Sequence, residues 1–431
     1  MVRIIQPKVF KNYDDFSNRY ENAVAKGQFK TSKVDDILTM MKETRRLNHL
    51  AQSFIHRCDY SVLAPILPKK HEYVLRVDLT KSQYDLYQFV TQLCNRKKTF
   101  ELISLVRKIL FHPRALLYDA KTVGELELFK NVCAEEAFES FQSSYKMILF
   151  LSILNKSEER GEKLLVFSEY LSTFDVIEYY LTKTKSWIRG SDYFRLDGQT
   201  DENTRKDNCK QFNDEQNTQA KLYLVSSRAG GLGFNMTGAS RMIILDASWN
   251  PAQDVQSVFR IHRIGQKKET FIYRLVSAGT VEDAIYKRQI LKESNSKRIV
   301  DNCLVSQRFE NDETKISFKY VQQPNQTMYC LPKDDDLLLE ILKENEPSHS
   351  ILSCRTHDSL TSSYGQNTTQ FDVIEDMDEY YMDDKNESQS NAWFERPNKR
   401  PKSSRISKAT KRMCDVLKTN VKEILTPRSV Q

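Results

Sequence analysis

Residues 224–266 read LVSSRAGGLGFNMTGASRMIILDASWNPAQDVQSVFRIHRIGQ and decide the fold of this 431-residue chain. Twelve glycines in the whole chain are under half the usual share of about 7 %. Within this stretch, however, four glycines fall close together, at Gly230, Gly231, Gly233 and Gly238. Glycine lets backbone approach another group because it has no Cβ, so the cluster indicates a close contact between the main chain and a ligand.

Short apolar runs alternate with amphipathic segments on both sides of this cluster. The runs are LLVFS, YFRLDG, LYLVSS, MIILD and FIYRLVS, at 164–168, 193–198, 222–227, 242–246 and 271–277. The amphipathic segments lie at 171–183, 202–213, 252–262 and 281–294. This alternation predicts an α/β fold whose parallel sheet is covered by helices on both faces. Ligands of such sheets bind beyond the carboxyl ends of the strands, where the glycine turn and Asp246 should lie.

Composition excludes several classes of protein. The formal net charge of +7 is modest, so it permits a nucleic-acid partner without arguing for one. No run of 18 or more apolar residues predicts a membrane span, and the N-terminus has no apolar signal region. The eight cysteines are widely separated and lack zinc spacing, so we expect no metal site built on them and a reducing compartment.

The remaining segments differ from this core in their charge and in the spacing of their apolar residues. Residues 1–65 are charged with helical spacing, and HEYVLRVDL at 71–79 predicts a strand or an extended linker. DDDLLLEILK at 334–343 predicts one more helix. Beyond it, an acidic block at 372–387 and a basic block at 396–412 indicate a disordered tail.

The glycine turn could bind phosphate. Backbone N–H groups of such a turn can reach phosphate oxygens, and the hydroxyls of Ser226 and Ser227 can donate to the phosphates of DNA. A tight turn of any α/β fold explains GGLG equally well. A dinucleotide-binding reading fails, because GxGxxG starting at Gly231 would need glycine where Met236 stands.

Two arginines could act on a phosphate as well. On a helix over 252–262, Gln256 and Arg260 share one face, with Arg263 beside them. Such a pair could neutralise charge that develops on phosphoryl transfer, whereas a solvated basic helix end is the commoner case for Arg-x-x-Arg in isolation. RLDGQT at 195–200 could form a loop that binds DNA backbone through Thr200 and Arg205, or a simple surface turn.

One motif is absent. A motor that hydrolyses ATP needs a Walker A loop, GxxxxGK[ST], to hold the phosphates. No Gly-Lys-Ser/Thr occurs in the chain, and neither does a DEAH-type tetrad. We therefore expect that the two arginines act on a phosphate which this chain has no evident means of binding by itself.

These residues together resemble the SWI/SNF family of chromatin-remodelling ATPases, in its second, RecA-like lobe. KLLVFSEY resembles motif IV, RLDGQT motif IVa, SSRAGGLGFNM motif V and DVQSVFRIHRIGQ motif VI. Further stretches, such as WIRGSDYFRLDG at 187–198 and GTVEDAIYKRQILKESNSKRIVD at 279–301, resemble the ATRX-like branch of that family. One departure is Glu169, where motif IV usually carries Gln.

The resemblance implies a DNA-dependent ATPase, or helicase-like hydrolase, that uses ATP and Mg²⁺ and has only half of its active site here. Its implied partners are double-stranded DNA, chromatin or nucleosomes, and a first motor lobe in cis or in trans. The implied arginine fingers are Arg260 and Arg263. The implied nucleotide-binding residues are Gly231, Gly233, Asp254 and Gln256. The implied DNA-binding residues are Thr200, Arg205, Ser226 and Ser227.

The resemblance also implies a domain plan. Residues 1–70 would be a helical remnant of the absent first lobe, and 71–145 a linker strand with a helical insertion. Residues 146–300 would be the RecA-like lobe, 301–345 a brace with C-terminal helices, and 346–431 the disordered tail.

A rival reading keeps the same fold. The chain would then be a non-catalytic half-motor that binds DNA or a partner, as the missing Walker A loop suggests. The basic stretch NKRPKSSR at 398–405 would direct either protein to the nucleus, unless it is only a solvated linker.

Overall fold

The computed structural model describes most of the chain up to residue 361. The described residues are 12–29, 31–51, 55, 62–92, 99–118, 126–229, 233–300, 318–322, 328–329, 332–345 and 350–361. They belong to one compact unit, Met1–Tyr364. The acidic and basic blocks of the expected disordered tail lie outside the described residues.

A mixed, mostly parallel sheet of eight strands forms the centre of this unit. The strands are β1 Lys70–Val77, β2 Leu164–Ser168, β3 Tyr193–Leu196, β4 Leu222–Ser226, β5 Arg241–Ile244, β6 Thr270–Ser277, β7 Met328–Tyr329 and β8 Ile351–Thr356. Their order across the sheet is β3-β4-β2-β5-β6-β1-β8-β7. The first six in that order are parallel neighbours, and β8 joins β1 antiparallel. The predicted α/β fold with a parallel sheet is confirmed.

Helices flank the sheet. They are α1 Tyr13–Phe16, α2 Asn22–Gly27, α3 Val34–Ala51, α4 Lys81–Gln92, α5 Thr99–Phe111, α6 Leu126–Lys130, α7 Glu136–Glu139, α8 Tyr145–Glu159, α9 Leu171–Lys185, α10 Glu202–Asn213, α11 Pro251–Ile261, α12 Val281–Val300, α13 Asp336–Asn345 and α14 His357–Thr361. A π-helical turn, Ser17–Glu21, joins α1 to α2. No helix in the part of the chain that the structure describes is both long and apolar enough to span a membrane.

Both faces of the sheet are buried, as the near-continuous apolar strands predict. In β2, Leu164 and Val166 pack into one core with residues of α8 and α9. Leu165 and Phe167 of the same strand pack into a second core with residues of α10 and α11. Successive side chains of a strand point to opposite faces, so one apolar strand serves both cores.

Two strands lie where the sequence does not place them. The segment predicted as a strand or linker is β1, which is parallel to β6 along its whole length and belongs to the main sheet. Residues 351–356, expected in a disordered tail, form β8 instead, with Ile351 and Cys354 buried beside β1. Antiparallel pairing with β1 supplies hydrogen-bond partners for the backbone groups of β8. The local sequence pattern does not show which strand will pair with β1 or with β8.

The N-terminal helices pack on the end of the chain's longest described helix. Helix α3 lies against α12, the last helix of the segment expected to be the RecA-like lobe. Near them, the side-chain amide of Asn295 donates to Oε1 of Gln28 at 3.2 Å. The region expected to be a remnant of another lobe is thus held by the helix that follows the sheet.

Substitution of Gly238 by Ala is expected to lower the free energy of unfolding by about 1–3 kcal/mol, as overpacking does. A Cβ at this position would lie 2.6 Å from the carbonyl oxygen of Phe212 and 2.7 Å from Cα of Asn213, which are backbone atoms that cannot swing away. Chemical denaturation measures the change. Gly198→Ala is the matched control, because its Cβ would meet no atom within 4 Å. Equal stability of the two variants would contradict the prediction.

Candidate functional site

Six parallel strands end on the same edge of the sheet, here called the carboxyl edge. Ser168 ends β2 and Ser226 ends β4, and these two residues are register partners. Asp246 follows β5, which is the neighbour of β2 on its other side. The polar residues that the sequence places after separate strands are therefore neighbours in space, as a parallel sheet requires.

Helix α11 begins at this edge and carries the two candidate arginines at its other end. Asn250 caps its N-terminus, accepting from the backbone N–H of Ala252 at 3.1 Å, and Pro251 occupies the first turn. The predicted helix over 252–262 is thus Pro251–Ile261, and it starts directly beyond the carboxyl edge. Arg260 lies in its last turn and Arg263 follows it.

Gly233 meets both arginines. Nη1 of Arg263 donates to the carbonyl oxygen of Gly233 at 3.4 Å. A Cβ on Gly233 would lie 3.9 Å from Nη1 of Arg260, and its φ of +87° favours glycine. The backbone N–H of Met236 donates to the carbonyl oxygen of Arg260 at 3.0 Å, which holds the glycine loop against α11. Gly231, the other predicted glycine, lies outside the described residues.

The electrostatics of this pair favour an anion. Burial, and next to it the charge of Arg263, lower the pKa of Arg260. Arg263 is exposed and Arg260 is nearly buried, and the like charges of the two guanidiniums repel each other. A bound phosphate would offset that repulsion, and the backbone of Gly233 leaves room for its approach.

The other two predicted nucleotide-binding residues, Asp254 and Gln256, differ from each other in exposure. Gln256 is exposed on α11. Asp254 is buried, and its Oδ2 accepts from Nη1 of Arg274 at 3.1 Å and from Nε2 of Gln289 at 2.8 Å. Asp254 therefore joins α11 to β6 and α12 through its side chain.

The serines at the end of β4 lie side by side at the carboxyl edge. Ser226 is buried, Ser227 is half-buried, and the backbone N–H of Ser227 donates to the carbonyl oxygen of Ser168 at 2.9 Å. The position of Ser227 is therefore tied to the end of β2.

Arg205, in the first turns of α10, contacts the loop that follows β3, where Thr200 lies. Nε of Arg205 donates to the carbonyl oxygen of Thr200 at 2.5 Å, and Nη2 donates to that of Asp197 at 3.2 Å. The Thr200 hydroxyl accepts from the backbone N–H of Asp197 at 3.1 Å. Arg205 thus shapes the loop that the sequence predicts to contact DNA backbone, and part of its guanidinium is occupied in doing so.

Asp246 lies in a cluster of hydrogen-bonded and charged side chains that the sequence does not predict. Its Oδ2 accepts from the Ser168 hydroxyl at 2.5 Å, and its Oδ1 accepts from the backbone N–H of Glu169 at 3.0 Å. Burial and the nearby Glu169 carboxylate raise the pKa of Asp246 to about 6, although Arg107 acts in the other direction. Arg107 comes from α5, far from any motif, so no signal in the sequence points to it.

Comparison with known families identifies two domains. Residues 1–120 match the SNF2-related domain, and residues 144–265 match the helicase conserved C-terminal domain. The second match covers β2 to β5, the glycine loop and the arginine pair.

Relatives with similar sequences are named as transcriptional regulators or as a chromatin-remodelling protein. The Drosophila melanogaster "Transcriptional regulator ATRX homolog" is 30% identical over 84% of this chain and 36% of its own length. The Arabidopsis thaliana "Protein CHROMATIN REMODELING 20" is 30% identical over 82% of this chain and 27% of its own. The human "Transcriptional regulator ATRX" is 28% identical over 84% of this chain and 20% of its own. The chain therefore spans between about a fifth and about a third of these relatives.

Two solved structures have limited similarity to the chain. The C-terminal part of the Fun30 ATPase domain has a TM-score of 0.42 and 23% identity, and the match covers 51% of this chain and 89% of that one. The Sulfolobus solfataricus SWI2/SNF2 ATPase core in complex with dsDNA has a TM-score of 0.41 and 21% identity, over 69% of this chain and 58% of that one.

Proposed function

We propose that this chain, which carries sequence of the SNF2-related and helicase C-terminal domains, is the second lobe of an ATP-dependent, DNA-translocating chromatin remodeller. The observation that supports this most directly is the meeting of Gly233 with Arg260 and Arg263 at the C-terminal end of α11. Two neighbouring guanidiniums, one nearly buried and one exposed, suit a polyphosphate better than they suit any neutral ligand.

ATP is the implied nucleotide, and it supplies the phosphoryl group that is transferred to water. In this proposal Arg260 and Arg263 neutralise charge that develops on the γ-phosphate, in the role of arginine fingers. Gly233 lets the loop approach the nucleotide, while Gln256 and Gly231 complete the protein's side of the contact. Asp254 orients α11 from within the fold, because its carboxylate is bound to Arg274 and Gln289.

Mg²⁺ would arrive with the phosphates. Within the ranges that the structure describes, no three Asp, Glu, His or Cys side chains come together to hold a metal ion. The 431 residues also contain no Gly-Lys-Ser/Thr for a Walker A loop. We therefore assign the cradle for phosphates and metal to a first motor lobe, in cis or in trans, which closes on the arginine pair.

DNA contacts in this proposal lie at the carboxyl edge. Ser226 and Ser227 would donate to phosphate oxygens, and the loop held by Thr200 and Arg205 would lie along the backbone. Such contacts carry no sequence information, which suits a motor that moves along any duplex. Nucleosomal DNA in the nucleus is the substrate that the names of the relatives favour.

A second function rests on one observation. The absence of a Walker A motif from the sequence favours a non-catalytic half-motor that binds DNA or a partner without hydrolysis. The two functions differ in one measurable respect, because only the motor lobe accelerates ATP hydrolysis when it is combined with a phosphate-binding first lobe.

Duplex DNA is expected to bind the chain without nucleotide and without sequence preference. Fluorescence anisotropy with two unrelated duplexes should give equal Kd values, and the affinity should fall about a thousandfold between about 50 and about 200 mM salt if six phosphates are contacted. Replacing Ser226 and Ser227 by Ala should weaken both duplexes equally, by up to about tenfold for each hydrogen bond lost, with an unchanged salt slope.

The control for this experiment is Ser191→Ala, which removes a serine from the loop before β3, at the opposite edge of the sheet. Binding of only one duplex, or no binding at low salt, would contradict the assignment of DNA contacts to this edge. ATP hydrolysis that stays absent after a first lobe is added, with DNA binding intact, would favour the half-motor.

A further inference from the structure

Arg107 is a buried arginine that no motif contains. It lies on α5, outside the segment that matches the helicase C-terminal domain, and its side chain is only 1% exposed. Its guanidinium reaches the carboxyl edge, where it contacts two loops that follow neighbouring strands. A fully buried cation is unfavourable unless it is paired and hydrogen-bonded, so these contacts account for its placement.

One side of the guanidinium holds the loop after β2. Nη1 donates to Oε2 of Glu169 at 2.7 Å. The guanidinium carbon also lies 5.1 Å from the centre of the Tyr170 ring, within range of a cation–π contact.

The other side holds the loop after β5. Nη2 donates to the carbonyl oxygen of Ala247 at 2.6 Å and lies 3.7 Å from Oδ1 of Asp246. Because Glu169 and Asp246 are neighbouring carboxylates, the two loops would repel each other without the cation between them.

The loop after β2 in turn fixes the end of β4. The hydroxyl of Ser168 donates to Asp246, and its carbonyl oxygen accepts from the backbone N–H of Ser227. A shift of residues 168–170 would therefore move Ser227 directly, with no other element between them.

We propose that Arg107 is a positioning residue for the DNA-contacting edge: by holding the loops after β2 and β5 together, it sets where Ser226 and Ser227 meet the phosphates. This proposal rests on the DNA contacts proposed above. It also explains Glu169, which stands where the resembling motif usually carries Gln. A carboxylate is the stronger partner for a buried guanidinium, so Arg107 and Glu169 form a matched pair in this chain.

The test compares two buried arginines: Arg107 of α5, whose guanidinium lies near the end of β5, and Arg241, which begins β5. Arg107→Met removes the cation near the end of β5 at the carboxyl edge. Arg241→Met removes the arginine that begins β5, which is ion-paired to Asp335 at 2.9 Å and to Glu162. Both variants lose a buried ion pair, so both should have a lower Tm than the parent chain.

DNA affinity separates the two. We expect the Kd of Arg107→Met for a duplex of arbitrary sequence to rise about tenfold, the equivalent of one or two lost hydrogen bonds, while that of Arg241→Met stays within about twofold. Adding Glu169→Gln to Arg107→Met should restore part of the affinity, because it removes the carboxylate left without a partner. If either Met variant is insoluble, Arg107→Lys and Arg241→Lys form the pair, since Lys keeps the charge and loses the fork.

Each outcome decides the question. Equal affinities of the Arg107 and Arg241 variants, or no recovery in the double variant, would overturn the positioning role while the parent chain still binds DNA. Failure of the parent chain to bind any duplex would instead remove the proposed function, and the inference with it.

Discussion

Alanine in place of Arg260 is expected to lower DNA-stimulated ATP hydrolysis by about a thousandfold or more, the range measured for arginine fingers. The reason is its position: Arg260 is 9% exposed in the last turn of α11, and its guanidinium lies next to Gly233. A guanidinium that is nearly buried beside the loop needs little reorganisation when charge develops on a phosphate. DNA affinity should stay nearly unchanged, because the serines of β4 and the loop after β3 are not altered.

The measurement needs a complete motor. ATP turnover should be followed in the native polypeptide that includes the phosphate-binding lobe, or in this chain supplied with that lobe in trans. Lys268→Ala is the matched control, because it removes an exposed cation from the segment that follows the arginine pair. Near-normal turnover by the Arg260 variant would refute its role, and equal loss in the Lys268 variant would show that net charge alone matters.

Much of the carboxyl edge could be predicted because its parts are encoded locally. Each apolar run carries its own strand signal, and Asn250 with Pro251 marks the start of α11 within a few residues. The rule that parallel strands end on one edge then brings Ser168, Ser226 and Asp246 together. It does not place Arg260, which lies at the other end of α11. The expected roles of these residues in nucleotide and DNA binding remain predictions.

Partners that are distant in sequence could not be predicted in the same way. Arg107 is a single arginine in an amphipathic helix, and nothing near it specifies that its guanidinium reaches Glu169, 62 positions away. The place of β1 in the sheet is also a long-range property, because it depends on pairing with β6 and β8. Local periodicity carries no information on such pairings.

Asp254 illustrates the same limit within a motif. The sequence places it two residues before Gln256, among residues implied to bind nucleotide. The structure surrounds its carboxylate with Arg274, Gln289 and the backbone N–H of Ser248. A carboxylate in the helix that bears the arginines would repel phosphate if it were unpaired, and this pairing prevents that.

Replacing Arg274 by Met is accordingly expected to lower the free energy of unfolding by about 3–5 kcal/mol, the cost of breaking a buried ion pair from one side. Arg274 lies in β6, with Nε 2.5 Å from Oε1 of Glu72 and Nη1 3.1 Å from Oδ2 of Asp254. All three side chains are nearly inaccessible to water, so neither carboxylate can be hydrated after the cation is removed. Chemical denaturation followed by circular dichroism measures the loss. Arg160→Met, which breaks an exposed pair with Glu340, should cost at most about 1 kcal/mol.

The pH dependence of the free energy of unfolding is a more specific test of the Arg274→Met substitution. Burial by itself would raise the pKa of Glu72, but Arg274, with His357 and Lys70, holds it well below its usual range. In the parent chain Glu72 is therefore ionised in both the folded and the unfolded state from about pH 5 to about pH 8, and its contribution to stability is constant there. After Arg274 is removed, His357 and Lys70, the latter at 2.8 Å, still favour the charged form of Glu72. Burial is the largest influence on Glu72, so we expect it to outweigh them and to raise this pKa above its unfolded value, and the folded state would bind the extra proton. The variant should then be more stable near pH 5 than near pH 8.

This reversal distinguishes the loss of an ion pair from the loss of packing. A Met side chain fills most of the volume of the Arg stem, so a packing defect alone would lower stability equally at both pH values. Because Asp254 connects Arg274 to α11, the folded variant should also hold Arg260 less firmly, and ATP turnover in the complete motor should fall with it. Stability that is lost to the same extent at both pH values would show that Arg274 acts through its shape, and unchanged turnover would separate the buried network from the arginine pair.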